Sequence, residues 1–328
     1  MNVLGIETSC DETSVSVVKD GRKVLSNIVS SSLKFHKIYG GVIPEIASRM
    51  QLETIIPVAS AAIRKAQISL KDIDLVSVTN GPGLLGSLLV GISFAKATSL
   101  ALGVPLLGVN HVYSHIYANF LNGRGPKLPF VGLVVSGGHT SLFYIKDFKE
   151  IEILGETQDD ACGEAFDKVA KILGLGYPGG PFIEKLAKRG NGKKIKFRCS
   201  GTKGELDFSF SGIKTAVLYY VKRHAPCAMR HASKRITHNA QRTAHIADIA
   251  ASFQDTVIDT LIKKSLLACK FKKVNRLVIG GGVVANNRLR EKFYEATKEQ
   301  CLNCYFPAKD LCTDNAAMVA GLGYELFK

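Results

Sequence analysis

The N-terminus of this 328-residue chain lacks the basic segment and following hydrophobic segment of a secretion signal. An acidic residue, Glu7, follows the start closely, and no run of apolar residues reaches the length of a membrane span. We therefore expect a cytoplasmic protein that does not associate with a membrane.

Paired cysteine motifs are also scarce. The eight cysteines are scattered through a large chain without a secretion signal, which predicts reduced thiols and argues against a disulfide framework. A single C-x-x-C motif, Cys301 to Cys304, has no second pair to complete a zinc site, so a structural role is predicted for it.

Acidic residues are too few to balance the basic ones. Forty-three Lys and Arg stand against 28 Asp and Glu, a formal charge of +15. Such an excess favours a polyanionic partner, with nucleic acid as the first candidate. A lysine-rich solvated surface is the alternative that charge alone leaves open.

Residues 222–246 contain no acidic residue at all, and we predict a basic insertion there. Histidines recur in it every seven residues, which would align them along a helix, although Pro226 argues against a helix at the start of the segment. Metal or RNA binding and a loosely ordered basic excursion are the two interpretations. The basic residues are Lys222, Arg223, Arg230, Lys234, Arg235 and Arg242, and the histidines are His224, His231, His238 and His245.

The chain is rich in glycine, with 31 residues, and 46% of it is hydrophobic, which suits a well-buried α/β protein of one large or two packed domains. A strand, tight turn and second strand are predicted over residues 3–18, and a similar unit over residues 130–145. The recurrence predicts two related α/β halves. Glycine turns at 81–86, 137–138 and 280–282 follow strands, so we expect a cleft lined by backbone amides that could hold a phosphate and a nucleoside.

His111 and His115 are four residues apart, which places both imidazoles on one face of a helix, where they could bind one metal ion. The spacing is that of the zinc-protease motif His-Glu-x-x-His, but Val112 occupies the position of its general-base glutamate. Peptide hydrolysis by that mechanism is therefore disfavoured. A histidine pair without a third ligand can also be structural.

Several long sequence motifs, which follow one another along the chain in the same order as in that family, closely resemble those of the bacterial tRNA threonylcarbamoyladenosine transferases (TsaD), once mislabelled as glycoproteases. The resemblance extends from Val3 to Gly323. The motifs occupy residues 5–13, 40–49, 110–115, 135–140, 159–168, 174–181, 207–215 and 281–286.

The resemblance implies the α/β fold of the actin, Hsp70 and sugar-kinase ATPases, with two related RNase H-like domains and a cleft between them. We expect residues 1–128 plus 310–328 to form the first domain. Residues 129–309 would form the second, with the basic insertion at about 222–246.

Site residues also follow from the resemblance. His111, His115 and Asp314 would ligate one divalent metal ion, iron (Fe2+) or zinc (Zn2+), with positions left open for substrate. Thr313 could cap a helix with Asp314 in its first turn. The residues expected to bind the nucleotide are Val134, Val135, Ser136, Gly137, Gly138, Asp167, Gly180 and Asn286.

The implied activity is transfer of a threonylcarbamoyl group from threonylcarbamoyl-adenylate to the exocyclic amine of adenine 37 of tRNA, with AMP as the leaving group. Asp11 or Glu12 could handle the amine proton; capping of their turn is the alternative role. The family works with a paralogous, metal-free partner (TsaB) and a small P-loop ATPase (TsaE). A non-catalytic nucleotide-binding scaffold subunit and a sugar-kinase-like phosphotransferase are the rival interpretations.

Two positions depart from the family. Gln51 stands where members usually have histidine, which leaves the role of that side chain open. Val134 stands where archaeal relatives have a metal-binding tyrosine, which supports the bacterial branch.

Overall fold

The computed structural model describes residues 1–123, 125–229 and 235–328, and within them the backbone alone of residues 225–229 and 235–243. The strands of this described part are β1 (Asn2–Glu7), β2 (Glu12–Lys19), β3 (Lys23–Ser31), β4 (Leu75–Gly81), β5 (Leu106–Asn110), β6 (Phe130–Val135), β7 (Thr140–Asp147), β8 (Glu150–Glu156), β9 (Arg276–Gly280) and β10 (Asn303–Tyr305). The helices are α1 (Leu33–His36), α2 (Pro44–Ala66), α3 (Leu85–Leu102), α4 (His111–Tyr117), α5 (Cys162–Ile172), α6 (Gly179–Ala187), α7 (Ser211–Met229), α8 (Arg235–Lys272), α9 (Asn287–Glu299) and α10 (Ala316–Phe327).

The strands form two five-stranded sheets of the same topology. The first has the order β3-β2-β1-β4-β5 and the second the order β8-β7-β6-β9-β10. In each sheet the first three strands are antiparallel neighbours and the last three are parallel ones. This repeat confirms the predicted α/β fold with two related halves, whereas the predicted domain boundaries stay a prediction.

Strand β1 is buried on both faces because helices cover both faces of its sheet. Leu4 and Ile6 pack in the core beneath α2 and α3, whereas Val3 packs in the core beneath α10. Successive side chains of a strand point to opposite faces, so this alternation distributes β1 between two cores. Gly5 allows close approach, since a Cβ there would lie 2.2 Å from the carbonyl oxygen of Ala316 in α10.

Helix α4 lies between the two halves. It follows β5 of the first sheet directly, and it contacts β6 and β9 of the second sheet as well as α10. Gly280 at the end of β9 permits this packing, because a Cβ there would lie 2.2 Å from the carbonyl oxygen of His115. The fold therefore places the predicted histidine pair where the halves meet.

Helix α3 is, among the described helices, the one long and apolar enough by length and composition to cross a membrane. Its 18 residues span about 27 Å at 1.5 Å per residue. In the fold it is the crossover between β4 and β5, and it packs against β4 and α2.

The basic segment differs from prediction at its start. Helix α7 continues through Pro226, in its last turn, so the expected interruption there is wrong. The rings of His224 and His245 lie 6.0 Å apart, and both are near Tyr220. The other predicted histidine and basic side chains between 225 and 243 lie outside the described residues.

The cysteines that the structure describes are free thiols. Cys301 is exposed and Cys304 is partly buried. Neither is bonded to another described cysteine, in agreement with the predicted reduced state.

Candidate metal centre and substrate cleft

The two histidines lie on the first turns of α4. Asn110 caps this helix by accepting hydrogen bonds from the backbone N–H groups of Val112 and Tyr113. His111 and His115 follow one turn apart, both buried, with ring centroids 4.7 Å apart. The spacing therefore produces the same-face arrangement that the sequence predicted.

Asp314 completes a three-residue group. Its Oδ1 lies 3.8 Å from His111 Nε2 and 3.3 Å from His115 Nε2. One ligand atom from each residue lies within 4.8 Å of the others, so the group could hold a metal ion. Helix α10 begins two residues later with Asn315 as its cap, so the predicted cap at Thr313 is wrong.

His115 provides the test of whether this group suits a metal. Both of its ring nitrogens are buried, and neither makes a hydrogen bond in good geometry to a described residue, although Nε2 faces Asp314. A buried nitrogen without a partner costs free energy that a bound metal would offset. Two nitrogen donors and one oxygen donor also leave coordination positions free for substrate. The residues therefore fit a divalent ion.

Glu7 supports the histidine pair from behind, a role that the sequence analysis missed. Its Oε2 lies 3.0 Å from His111 Nδ1 and accepts a hydrogen bond from the Thr79 hydroxyl at 2.6 Å. The side chain is fully buried. A carboxylate on one ring nitrogen fixes the ring and leaves the other nitrogen facing the ligand position. The available signal was an acidic residue directly after the apolar run from Val3 to Ile6.

Carboxylates surround the histidines of this centre and make its electrostatic potential negative. Burial alone would lower the pKa of His111, but the carboxylates of Glu7 and Asp314 raise it to about 9. Burial would raise the pKa of Asp314, but the neighbouring His111 and His115 hold it well below its usual range. The same surroundings would attract a divalent cation.

The predicted proton-transfer residues are Asp11, the last residue of the turn between β1 and β2, and Glu12, the first residue of β2. The pKa of Glu12 lies well above its usual range because of burial and the charges of Asp314 and Asp11. A carboxyl group with a raised pKa suits proton transfer near neutral pH. A catalytic role for either residue stays a prediction.

Gln51 has a clear structural role. Its side-chain amide donates to the carbonyl oxygens of Cys10 and Glu12, both at 3.0 Å, and to that of Thr8 at 3.4 Å. The departure from histidine therefore leaves a side chain that holds the acidic turn in place.

The corresponding turn of the second half is a glycine turn. The His139 N–H donates to Ser136 Oγ, and the Ser136 N–H donates to the His139 carbonyl, which closes the turn. Neither Gly137 nor Gly138 has a positive φ, and a Cβ on either would meet nothing within 4 Å. Both glycines are exposed, so the turn has room beside it for a ligand.

The remaining predicted nucleotide residues differ in what they offer. Val134 and Val135 have fully buried side chains, so only their backbone can line a cleft. Asp167 accepts a hydrogen bond from the Gly179 N–H at 2.6 Å, and burial raises its pKa to about 6. At Gly180 a Cβ would again meet nothing within 4 Å.

Asn286 is more structural than the sequence suggested. Its Oδ1 caps α9 by accepting from the Leu289 N–H, and its Nδ2 donates to Gln254 Oε1. Gln254 borders a cavity of about 610 Å³ that is also lined by Glu184 and Asn287. Pockets of this volume accommodate small molecules.

His139, in the glycine turn of the second half, lies close to the metal centre, and the sequence analysis did not identify it as a site residue. Its ring lies 6.1 Å from that of His111. Burial and the nearby His111 and His115 lower its pKa to about 4, so the ring is neutral near pH 7. The sequence places it in the glycine turn, and only the fold brings it to the metal centre.

Comparisons with known proteins agree on one family. A family model described as tRNA N6-adenosine threonylcarbamoyltransferase (TsaD) matches residues 23–321. A curated relative of that name from Thermodesulfovibrio yellowstonii is 52% identical over 333 residues, covering 100% of this chain and 95% of the relative. Another from Thermosipho africanus is 51% identical over 329 residues, covering 100% and 95%.

Solved structures support the fold. HypF from T. kodakarensis aligns with a TM-score of 0.67 at 16% identity, covering 99% of this chain and 48% of HypF. Component A of (R)-2-hydroxyglutaryl-CoA dehydratase from Acidaminococcus fermentans aligns with a TM-score of 0.51 at 14% identity, covering 99% and 98%. At these identities the likeness concerns architecture alone.

Proposed function

The chain belongs to the tRNA N6-adenosine threonylcarbamoyltransferase family, and we propose that it transfers threonylcarbamoyl from threonylcarbamoyl-adenylate to the exocyclic amine of adenine 37 in tRNA. The observation that carries this proposal is the convergence of His111, His115 and Asp314 opposite an open glycine turn. The His139 ring of this turn lies 6.1 Å from the His111 ring, so a possible cation site and an anion-receptive turn are neighbours.

In the proposed arrangement the second half holds the adenylate. Its phosphate would bind the amides of Gly137 and Gly138, two exposed residues at which even a Cβ would meet nothing within 4 Å. Asp167 would accept a hydrogen bond from a ribose hydroxyl. The adenine base would enter the cavity that Gln254 lines. Gln254 accepts a hydrogen bond from Asn286, a predicted nucleotide-binding residue.

The first half would hold the cation and receive the proton. His111, His115 and Asp314 would hold one Fe2+ or Zn2+ ion, which when bound would polarise the carbamoyl carbonyl. The adenine nitrogen forms a bond to the carbamoyl carbon, the bond from that carbon to the phosphate oxygen breaks, and AMP leaves. Glu12 would accept the amine proton, for which its raised pKa is suited.

We further propose a cytoplasmic location and two protein partners, a paralogous subunit without the metal ligands and a small P-loop ATPase. The support for the paralogous subunit is an exposed apolar face where α2 and α3 lie side by side. More than half of each side chain on this face is exposed. The residues are Leu52, Ile56, Leu85 and Leu89.

The rival functions are less well supported. A phosphotransferase of this fold has no use for the histidine pair, and a protease of the His-Glu-x-x-His type needs a glutamate where Val112 stands. A scaffold subunit would not need His111, His115 and Asp314 to converge, with both His115 ring nitrogens buried.

One experiment separates these functions. The purified chain is incubated with the adenylate and unmodified tRNA, with and without the two partners, and nucleosides are analysed by mass spectrometry. We expect threonylcarbamoyladenosine from the parent chain and none from the His115→Ala variant. Equal product from both chains would remove the metal centre from the mechanism. No product from the parent with both partners present would contradict the transferase proposal.

A further inference from the structure

Residues 34–39, here called the aromatic–basic turn, project from the first half beside the site. Ile38 is 81% exposed, Tyr39 is 56% exposed and Phe35 is 38% exposed. Lys34 and Lys37 are exposed between them. No acidic residue occurs from 32 to 44, so the turn presents apolar rings and positive charge together.

The turn is held firmly at its base. His36 is fully buried, with Nε2 2.9 Å from Ser32 Oγ, and its Nδ1 accepts the backbone N–H of Ile43. One imidazole thus joins the two ends of the projection. The exposed side chains are therefore presented by an ordered base, which limits the entropy lost when they bind a partner.

The same base connects the turn to the reaction site. Both the backbone N–H and the hydroxyl of Ser32 donate to the carbonyl oxygen of Asp11, at 3.1 and 2.8 Å. Glu12, the residue after Asp11, in turn lies close enough to Asp314 for the two carboxyl groups to interact electrostatically. The acidic turn therefore lies between the metal centre and the aromatic–basic turn.

The two lysines are not neutralised within the described residues. Neither forms an ion pair with a described residue, and Lys34 Nζ lies 4.9 Å from the centre of the Phe35 ring. Exposed lysines beside aromatic rings match single-stranded nucleic acid, where bases stack on rings and phosphates contact cations.

We propose that the aromatic–basic turn docks the anticodon loop of tRNA. Nucleobases that flank the target adenine stack on Tyr39 and Phe35, and backbone phosphates contact Lys34 and Lys37. This inference rests on the proposed function, and it gives one reason why a weak nucleophile reaches the carbamoyl carbon: the loop is held beside the site. A protein partner is the alternative occupant of the turn.

The test compares Tyr39→Ala, Tyr39→Phe and a Lys34→Gln/Lys37→Gln double variant in the full chain. The matched control is Phe271→Ala, which removes an exposed ring in the last turn of α8, before the start of β9; the metal centre lies near the other end of that strand, at Gly280. Dissociation constants for an unmodified full-length tRNA with adenine at position 37 are measured at several salt concentrations. Melting temperature, metal content and affinity for a non-hydrolysable adenylate analogue are measured in parallel.

Tyr39→Ala should weaken tRNA binding roughly 5- to 100-fold, because it removes one stacking platform. Tyr39→Phe and Phe271→Ala should stay near the parent value. The double lysine variant should reduce the slope of log affinity against log salt by about 0.7 for each single-stranded RNA phosphate that a lysine no longer neutralises. Adenylate affinity should be unchanged in all variants.

Unchanged tRNA affinity in both Tyr39→Ala and the double variant would overturn the proposal. So would weaker binding of the paralogous subunit with tRNA affinity intact, since the turn would then be a protein interface. Transfer by the parent chain tests the proposed function separately. A chain that binds tRNA through this turn but modifies none would contradict the function and leave the docking surface in place.

Discussion

The hairpin that opens each half has the same dimensions and the opposite chemistry. In both halves a six-residue strand, a four-residue turn and an eight-residue strand follow one another, β1 and β2 in the first and β6 and β7 in the second. The first hairpin presents carboxylates, including Glu7 and Glu12. The second presents Val135 and Thr140 at the equivalent places, with a glycine turn between them.

The comparison indicates how one fold supplies both sides of an acyl transfer. Carboxylates beside a histidine pair suit a cation, whereas an exposed glycine turn suits an anion. Because the His139 ring in the second turn lies 6.1 Å from the His111 ring, the two chemistries adjoin each other. Changes that remove or exchange this difference should therefore test the site most directly.

The largest effect should come from the metal ligands of the first half. We expect His111→Ala, His115→Ala and Asp314→Ala each to lose bound metal and abolish transfer, because one of three protein ligands is removed. Metal analysis and nucleoside analysis of each variant measure this. Asp310→Ala, an exposed carboxylate close in sequence, is the control and should keep both properties. Full metal occupancy in all three ligand variants would refute the assignment.

Glu7→Gln should have the next largest effect. The change keeps the size of the side chain but removes the charge that faces His111 Nδ1 at 3.0 Å. Loss of such a supporting carboxylate typically lowers metal affinity about 10- to 100-fold. Competition with a chelator measures the affinity, and adenylate binding is the internal control, since the second half is untouched. An unaltered metal affinity would reduce Glu7 to a purely structural residue.

A charge placed in the second hairpin tests the other side. Gly138→Asp should fold normally, since a Cβ there meets nothing within 4 Å, but should weaken adenylate binding by about 1–4 kcal/mol through repulsion of the phosphate. Gly138→Asn is the matched uncharged variant. Calorimetry with a non-hydrolysable adenylate analogue measures both. If the two variants weaken adenylate binding equally, the cause is the size of the added side chain and not its charge.

The sequence predicted those features that local patterns encode. The two hairpins follow from the alternation and turns at residues 3–18 and 130–145, and the histidine pair follows from helical spacing. The distant ligand Asp314 came from family resemblance, because no local pattern connects it to His111.

What the sequence could not predict depends on three-dimensional approach. Glu7 and Thr79 meet because β1 and β4 are parallel neighbours, and His139 meets His111 because the halves pack around α4. The sequence predicts the cap of α10 at Thr313, whereas Asn315 performs that role. Both residue types cap helices well, so the sequence alone does not fix which one begins the turn.

The smallest predicted effect concerns Asp167, a carboxylate that the second half holds without a cation. Burial raises its pKa to about 6 from an ordinary value of 3.8, so the folded chain binds this proton more tightly than the unfolded chain. Stability from this group therefore falls as pH rises from about 4 to 6, and the cost is complete above that range.

Asp167→Asn removes the charge and should stabilise the ligand-free chain by about 1–3 kcal/mol at pH 7.5, with the gain shrinking toward pH 4. Melting curves of parent and variant at both pH values measure the difference, and adenylate affinity should fall in the same variant. A variant that is no more stable than the parent at pH 7.5 would show that the hydrogen bond from Gly179 already compensates the buried charge, and the contrast between the two halves would then lie in their turns alone.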